Sequence, residues 1–404
     1  MSAYRPFSIV EQAPPDPILG IVEQFKKDAN PKKVNLCIGV FQDETGKNPV
    51  LKSVKQAERM WLEQENTKDY LNMAGEETYG RLVQEMIFGK DHPVIKDKRA
   101  ATLHAPGGTG ALRVGADFVH SQMPKAAAWI SDPTWPNHKG IFQSAGMEVK
   151  TYAYYDAEKH GLALERFLES LEKIPEGDLV VIHACCHNPS GVDPAPAQWD
   201  KVVDVFKRRK IVPFLDFAYQ GFGDGMEEDS YGVRAFANAG LEMMVSSSFS
   251  KNFGLYRERV GALTFVTGDA AEAGKVMSRA KLTVRANYSN PPAHGGKVVE
   301  IVLGNPELRK LWEQEVTGMR NRIHQMRRMF VDGLKAKGVK RNFEFIVEQR
   351  GMFSFCGVTV DEVQQLKQKY GIYLVDNGRI NVAAMTPGNM DYLTTAIAAV
   401  LNGK

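Results

Sequence analysis

Lys251 lies in Ser246-Ser-Ser-Phe-Ser-Lys-Asn-Phe-Gly-Leu-Tyr-Arg-Glu-Arg259-Val-Gly261, where serines, a lysine and two arginines crowd one connection. A lysine amine attacks a carbonyl only when deprotonated, and its free pKa is about 10.4. Burial and nearby cations lower that value and open carbonyl chemistry near neutral pH. Serine hydroxyls and an arginine fork are the groups that hold a phosphate. The stretch therefore suits an amine that condenses with a phosphorylated aldehyde, and pyridoxal phosphate is a cofactor of that kind. A solvated surface turn is the plain alternative.

Other polar residues have the types such a site needs. Asp216 stands between Leu215 and Phe217. A carboxylate buried there needs a partner. A core cation would serve, and so would a protonated pyridine nitrogen, which the aspartate would keep charged so that the ring withdraws electrons. Tyr219 is within reach of a phenolic oxygen on that ring, or simply packs. Gly107-Gly-Thr-Gly110 follows Pro106 and opens the helical run Ala111–Val119. Bare N–H groups at a helix start accept an anion; the same glycines also make an ordinary cap. Trp135, in Asp132-Pro-Thr-Trp-Pro-Asn-His138, offers a stacking face or a core ring. Arg285 and Arg379 suit bidentate carboxylate binding; surface ion pairs are the plain alternative. His183 and His187 flank Cys185 and Cys186, and a strand would put His183, Cys185 and His187 on one face. No further ligand cluster accompanies them, so no metal is expected.

These residues follow strand-like runs at 126–130, 179–187, 211–215 and 243–248, with helical stretches between some of them. That alternation predicts a largely parallel α/β sheet covered on both faces. Ligands then bind beyond the carboxyl ends of the strands. The runs Glu242–Ser248 and Gly261–Thr267 bracket Lys251 as two strands. Leu282–Pro292 reads as a proline-rich loop. Pro306 opens a helix whose apolar residues Leu308, Leu311, Trp312, Val316, Met319, Ile323, Met326, Phe330 and Leu334 recur at three- or four-residue steps. Its span of roughly 40–45 Å suits a bridge between domains. A smaller α+β unit follows, with strands near 351–355 and 378–382 and helices near 361–369 and 390–401. Prolines 6, 14, 15 and 17 make residues 1–20 an extended arm, whose Ile9, Ile18 and Leu19 need cover from a partner subunit. Short elements follow at 21–27 and 34–38, then a helix at 53–65.

The 404 residues exceed one ordinary core, and 43% apolar with 25% charged content is that of a soluble globular protein. A net charge of +3 gives no electrostatic case for nucleic acid or an anionic membrane. Four scattered cysteines argue against a disulfide scaffold and for a reducing compartment. No apolar run is long enough to cross a bilayer, and the first residues lack a secretory h-region. The expected location is cytoplasmic.

Together these motifs resemble the aspartate aminotransferase family, in the fold-type I group of pyridoxal-phosphate enzymes. The resemblance runs from Pro15-Asp-Pro-Ile-Leu19 to Gly378-Arg379-Ile-Asn-Val382. It rests most on the Lys251 stretch, on His183-Ala-Cys-Cys-His-Asn-Pro-Ser-Gly-Val-Asp-Pro194 and on Asp216-Phe-Ala-Tyr-Gln-Gly-Phe222. Trp135-Pro-Asn-His138 and Tyr288-Ser-Asn-Pro-Pro292 add to it.

The resemblance implies that Lys251 condenses with the cofactor aldehyde and that Asp216 pairs with the ring nitrogen. Asn188 and Tyr219 would bond the phenolic oxygen, and Trp135 would stack on the ring. Gly108, Thr109, Ser248 and Arg259 would hold the phosphate, joined by Tyr70 from a second subunit. Arg379 would take the substrate α-carboxylate, and Arg285 of the second subunit the distal one, with Gly39 near the substrate backbone. It implies a homodimer with shared active sites. It also implies an arm at 1–15, a small domain from 16–48 and 319–404, and a large cofactor-binding domain at 49–318. The expected reaction passes the amino group of L-aspartate to 2-oxoglutarate in ping-pong fashion, giving oxaloacetate and L-glutamate. Broad aspartate and aromatic specificity is the alternative. A dinucleotide-dependent dehydrogenase is disfavoured, because no G-x-G-x-x-G follows the first strand. Gly107 departs from the serine many members carry, which implies weaker cofactor retention through a lost hydroxyl. Gln42 stands where arginine is frequent.

Overall fold

Strands buried on both faces read as continuous apolar runs, and such runs form the middle of a seven-stranded sheet. In a computed structural model that describes residues 5–13 and 19–403, its strands are β1 (Ala100–Pro106), β2 (Ala128–Asp132), β3 (Val149–Ala153), β4 (Leu179–His183), β5 (Val212–Phe217), β6 (Met243–Ser248) and β7 (Val260–Val266). Their spatial order is β1-β7-β6-β5-β4-β2-β3. Every neighbouring pair is parallel except those of β7, which runs against both β1 and β6. All residues of β4, β6 and β7 are buried.

Two apolar layers sandwich this sheet. The helix Gly107–Gln122 packs on one face, close enough that a Cβ at Gly115 would lie 2.5 Å from Phe214. On the other face Ile182, Leu215, Phe217 and Val245 join the larger core with Val202, Phe206 and Phe236. The strand at 179–187 stops at His183 rather than continuing. Cys186 takes a left-handed φ of 52°, and Asp193 accepts the N–H groups of Cys186 and His187 at 2.6 and 2.9 Å. His183, Cys185 and His187 therefore do not share a strand face. Arg285 likewise sits in the last turn of the helix Ala270–Asn287, not in a loop; the break comes just after it.

The long helix forms as its spacing predicts, over Pro306–Ala336. Asn305 caps it by accepting from the N–H groups of Glu307 and Leu308 at 3.0 and 3.1 Å, and Pro306 opens it. Thirty-one residues span roughly 46 Å. Near its start Trp312 stacks on Phe253 at 4.5 Å and donates to the Asn252 carbonyl, behind Lys251. Its far half carries a second group of elements. These include Leu19–Lys27, Val360–Tyr370 and Pro387–Leu401, the parallel pair Val34–Asn35 with Ile372–Tyr373, and the antiparallel pair Phe353–Phe355 with Arg379–Asn381. The described part of the N-terminal arm leaves Phe7, Ile9 and Val10 exposed; Ile18 lies outside the described residues.

Arg327 ties the long helix to the segment 346–354. It is fully buried and gives its guanidinium to the carbonyls of Ile346, Gly351 and Phe353 at 2.9, 2.7 and 2.8 Å, and to the Ser354 hydroxyl. Arg327→Met keeps much of the volume and orphans these acceptors. It is expected to destabilise the protein by roughly 3 kcal/mol or more, read as a lower urea midpoint. An unchanged midpoint would show that the carbonyls find other partners.

Candidate active site

The carboxyl ends of β4, β5 and β6, the start of the helix Gly107–Gln122 and the strand Arg379–Asn381 meet around a cleft of about 260 Å³. Gly39, Gly108, Thr109, Trp135, Asn188, Asp216, Tyr219, Ser248, Lys251, Arg259 and Arg379 all line it. Sheet register explains part of this convergence: His183 pairs with Asp216, and Asp216 with Ser246, across β4, β5 and β6. The reversal of β7 returns Arg259 to the same edge.

Asp216 is buried, and its Oδ2 lies 3.0 Å from His138 Nε2. A carboxylate only accepts, so Nε2 carries the proton. His138 Nδ1 meets the Thr134 hydroxyl at 2.8 Å. Burial alone would push the Asp216 carboxyl up. The hydrogen bond from His138, with His138, His183 and Lys251 nearby, outweighs it and holds the group below its ordinary range. Asp216 is thus an anion, with one oxygen that makes no hydrogen bond among the described residues. His183, against Asp216 in register, is pushed down to about 3, by burial first and the neighbouring His138 second.

Lys251 Nζ lies 4.8 Å from the centre of the Tyr219 ring. The residue is half-buried and lines the cleft. Burial pushes its pKa down to about 8, with Asp216 opposing and Arg259 reinforcing the shift. Burial raises Tyr219 above its ordinary range, so the phenol stays protonated.

Arg379 is only 3% exposed. Its Nη1 donates to Asn188 Oδ1 at 3.2 Å, its Nη2 to the Cys37 carbonyl at 2.7 Å, and its guanidinium lies 4.3 Å from the Phe353 ring centre. Its Nε has no partner, and no carboxylate among the described residues pairs with it. Burial pulls its pKa down. A carboxylate ligand would relieve that cost.

A second cationic end forms where Gly108 and Thr109 present a helix N-terminus beside Ser248, Ser250 and Arg259. Arg259 Nη1 donates to the Tyr256 carbonyl at 3.1 Å and lies 3.4 Å from the Ser250 hydroxyl. N–H groups, hydroxyls and a guanidinium that pairs with no carboxylate among the described residues make an anion cradle.

Two expected residues stand elsewhere. Tyr70 is 92% exposed. Arg285 lies on an exposed helix end and donates to the Ser289 hydroxyl. Neither lines the cleft of its own chain. Three cleft neighbours carry no local signal of a role in the sequence. His138 closes a motif whose tryptophan alone was given a role. Tyr256 and Ser250 sit inside the Lys251 stretch itself; the Tyr256 hydroxyl accepts the Phe41 N–H at 3.0 Å. His138, His183 and Asp216 also bring three ligand-type atoms within 4.8 Å of one another, with the His138–Asp216 pair already hydrogen-bonded.

Residues 31–397 match the family described as aminotransferase class I and II. Over 395 residues the chain is 52% identical to an aspartate aminotransferase of Salmonella typhi, covering 98% of this chain and 100% of that protein. The aspartate aminotransferase of Escherichia coli (strain K12) gives the same identity and coverage. Among solved structures, the aromatic-amino-acid aminotransferase of Burkholderia pseudomallei, covalently bound to pyridoxal phosphate, superposes with a TM-score of 0.97 at 50% identity, over 98% of this chain and 100% of that one. A mostly parallel sheet ending in a lysine-bearing cleft, matched over nearly the whole length at such identity, means that the chain belongs to the class I and II aminotransferase family.

Proposed function

We propose that the protein is a pyridoxal-phosphate-dependent aspartate aminotransferase of fold type I, which passes the amino group of L-aspartate to 2-oxoglutarate and yields oxaloacetate and L-glutamate. The observation that carries this reading is a single cleft holding Lys251, the anionic Asp216 and a buried Arg379 with no carboxylate of its own. The residues present fit the cofactor. Asp216 would face the pyridine nitrogen, Tyr219 and Asn188 the phenolic oxygen, and Trp135 the ring face. Gly108, Thr109, Ser248 and Arg259 would hold the phosphate. Bound there, pyridoxal phosphate supplies an aldehyde for amine exchange and an electron-withdrawing ring.

The chain's own groups do the rest. Arg379 fixes the α-carboxylate of the amino acid, beside Gly39, and so orients its Cα. Lys251 Nζ takes the Cα proton when neutral and gives a proton back when charged. With a pKa near 8, both forms are populated around neutrality. Asp216 stays ionised because His138 holds it so.

We propose a homodimer as the working unit. Tyr70 and Arg285 are exposed and away from their own cleft, so their roles at the phosphate and the distal carboxylate would be played in a second copy. Exposed Phe7, Ile9 and Val10 in the arm at 1–15 support such an interface. The cleft then lies between a large domain at 49–318 and a small one made of 16–48 and 319–404. No helix among the described residues is long and apolar enough to cross a membrane; the proposed location is cytoplasmic. Broad specificity for aspartate and aromatic amino acids is the second reading, favoured by the aromatic enzyme at 50% identity.

Three measurements test these assignments. The purified protein is expected to carry a visible absorption band that L-aspartate alone removes and 2-oxoglutarate restores. A band that ignores aspartate but answers phenylalanine overturns the substrate. Arg285→Leu is expected to lower kcat/KM for aspartate by roughly a hundredfold, as loss of a charged partner does, and to leave phenylalanine far less affected. Equal losses on both would remove Arg285 from the site. In the apoprotein, the rate at which Lys251 reacts with pyridoxal phosphate is expected to rise with pH and level off above about 8, since the ammonium present below that pH cannot attack. Arg259→Ala moves the midpoint up and Asp216→Asn moves it down. A wild-type midpoint near that of free lysine would place the amine in solvent.

A further inference from the structure

We infer that Asp193 is a positioning residue for Asn188: its carboxylate holds the turn that follows β4 and so aims the Asn188 amide at the cofactor's phenolic oxygen. The inference rests on reading Asn188 as a neighbour of that oxygen. Asn188 is buried and lines the cleft. Its Oδ1 accepts from Arg379 Nη1 at 3.2 Å. An arginine only donates, so the amide oxygen is the end that faces it. The NH2 group is left for the cleft, as a donor that makes no hydrogen bond among the described residues.

The backbone just before Asn188 sets that aim. Cys186 takes a left-handed φ of 52°, which a residue with a Cβ adopts only when something holds it there. Asp193 is what holds it. Its Oδ2 accepts the Cys186 N–H at 2.6 Å and its Oδ1 the His187 N–H at 2.9 Å. The Gly191 N–H closes the same turn on the His187 carbonyl at 2.7 Å. Asp193 itself does not line the cleft, so it acts through this turn and not on a ligand.

Side chains lock the turn from two directions. The His187 ring meets the Ser131 hydroxyl of β2 at 3.0 Å and the Ser190 hydroxyl at 2.8 Å, and it stacks on Tyr154 at 4.0 Å. From the other side, the Arg350 N–H donates to the Gly191 carbonyl at 2.7 Å, and a Cβ at Gly191 would lie 2.5 Å from the Phe353 carbonyl oxygen. The Phe353 ring in turn lies 4.3 Å from the Arg379 guanidinium. The turn, Asn188 and Arg379 therefore form one packed unit. Without the carboxylate, two N–H groups lose their acceptor and Cys186 is free to return to extended backbone. Asn188, two residues on, moves with it.

The test is a double-mutant cycle read in the visible band of the holoenzyme. Donation to the phenolic oxygen favours its ionised form, so losing that donation moves the pH midpoint of the band upward. The midpoint is measured for Asp193→Ala and Asp193→Asn in the wild-type and Asn188→Ala backgrounds, with a urea midpoint for each protein. Asn188→Ala is expected to raise the pH midpoint by about half a unit or more, the worth of one neutral hydrogen bond. Asp193→Ala should raise it by a comparable amount. Asp193→Asn, which keeps one acceptor oxygen, should raise it by less, and it carries the test if the alanine variant folds poorly. With Asn188 already replaced, neither substitution should move the midpoint by more than about 0.2 units, as a cycle reports when an effect passes through a residue already gone. A lower urea midpoint with an unmoved band overturns the inference, since it assigns Asp193 to stability alone. Equal shifts in both backgrounds overturn it too, because Asp193 would then act elsewhere. An Asn188→Ala band that titrates as wild type removes Asn188 from the phenolic oxygen, and the inference with it, while leaving the cofactor assignment standing. A wild-type protein with no band, even after addition of pyridoxal phosphate, overturns both.

Discussion

Enclosing charge is the constraint around which this structure is arranged. Asp216, Lys251, Arg259 and Arg379 share one cleft; Asp216 accepts from His138, while the two arginines donate to neutral oxygens and pair with no carboxylate among the described residues. Removing an ion from water costs several kcal/mol even after the protein relaxes. Extensive apolar layers above and below the sheet offset that cost, at roughly 25 cal/mol for each Å² of apolar surface buried. What remains is a site with three cationic side chains facing one carboxylate. Such a site favours a ligand that brings its own anions, one at each end. Arg379 defines one end and the helix start with Arg259 the other, with Lys251 between two requirements: buried enough to lose its proton, near enough to Asp216 to regain it.

Topology makes this arrangement inexpensive in chain. Because β4, β5 and β6 run the same way, the residues that end or follow them reach one edge without long loops. Only β7 runs back, and that reversal returns Arg259 to the place where the helix Gly107–Gln122 begins. The long helix serves the same edge from behind. Its Trp312 braces the loop that carries Lys251, while its distal half carries the strand that holds Arg379 through Arg327 and its carbonyl partners.

Much of this was legible in the sequence, and for a physical reason. Asn188, Asp216, Tyr219 and Lys251 stand just past apolar runs, or at the very end of one, and a parallel sheet leaves such residues one shared edge. The periodicity of the long helix was equally readable, since its apolar residues all face one seam. What escaped depends on contacts between distant residues. His138 acts on a carboxylate 78 positions away, and nothing local marks it. The run Leu179–His187 looked like one strand because Ala-Cys-Cys continues its apolar character. The stop comes from the left-handed Cys186 and from Asp193, which draws off two backbone N–H groups. The prolines that closely follow Arg285 suggest a loop, yet helical bonding persists through Asn287. Tyr70 and Arg285 show the limit of one chain, since neither lines the cleft of the chain that carries it.

Gly107 shows why a motif cannot be scored by adding and subtracting functional groups. Seen along the chain, a glycine in place of serine is one hydroxyl fewer for a phosphate. Seen in space, the same position is bounded by Gly261 on one side and by the end of the Arg259 side chain on the other, so a side chain there and the guanidinium have to share the room. A charged donor is worth more to an anion than a neutral one, so the exchange need not weaken the site. In a close-packed cluster of charges the space left by one residue belongs to its neighbour. The meaning of a substitution is then set by which group occupies that space, not by the atom that was lost.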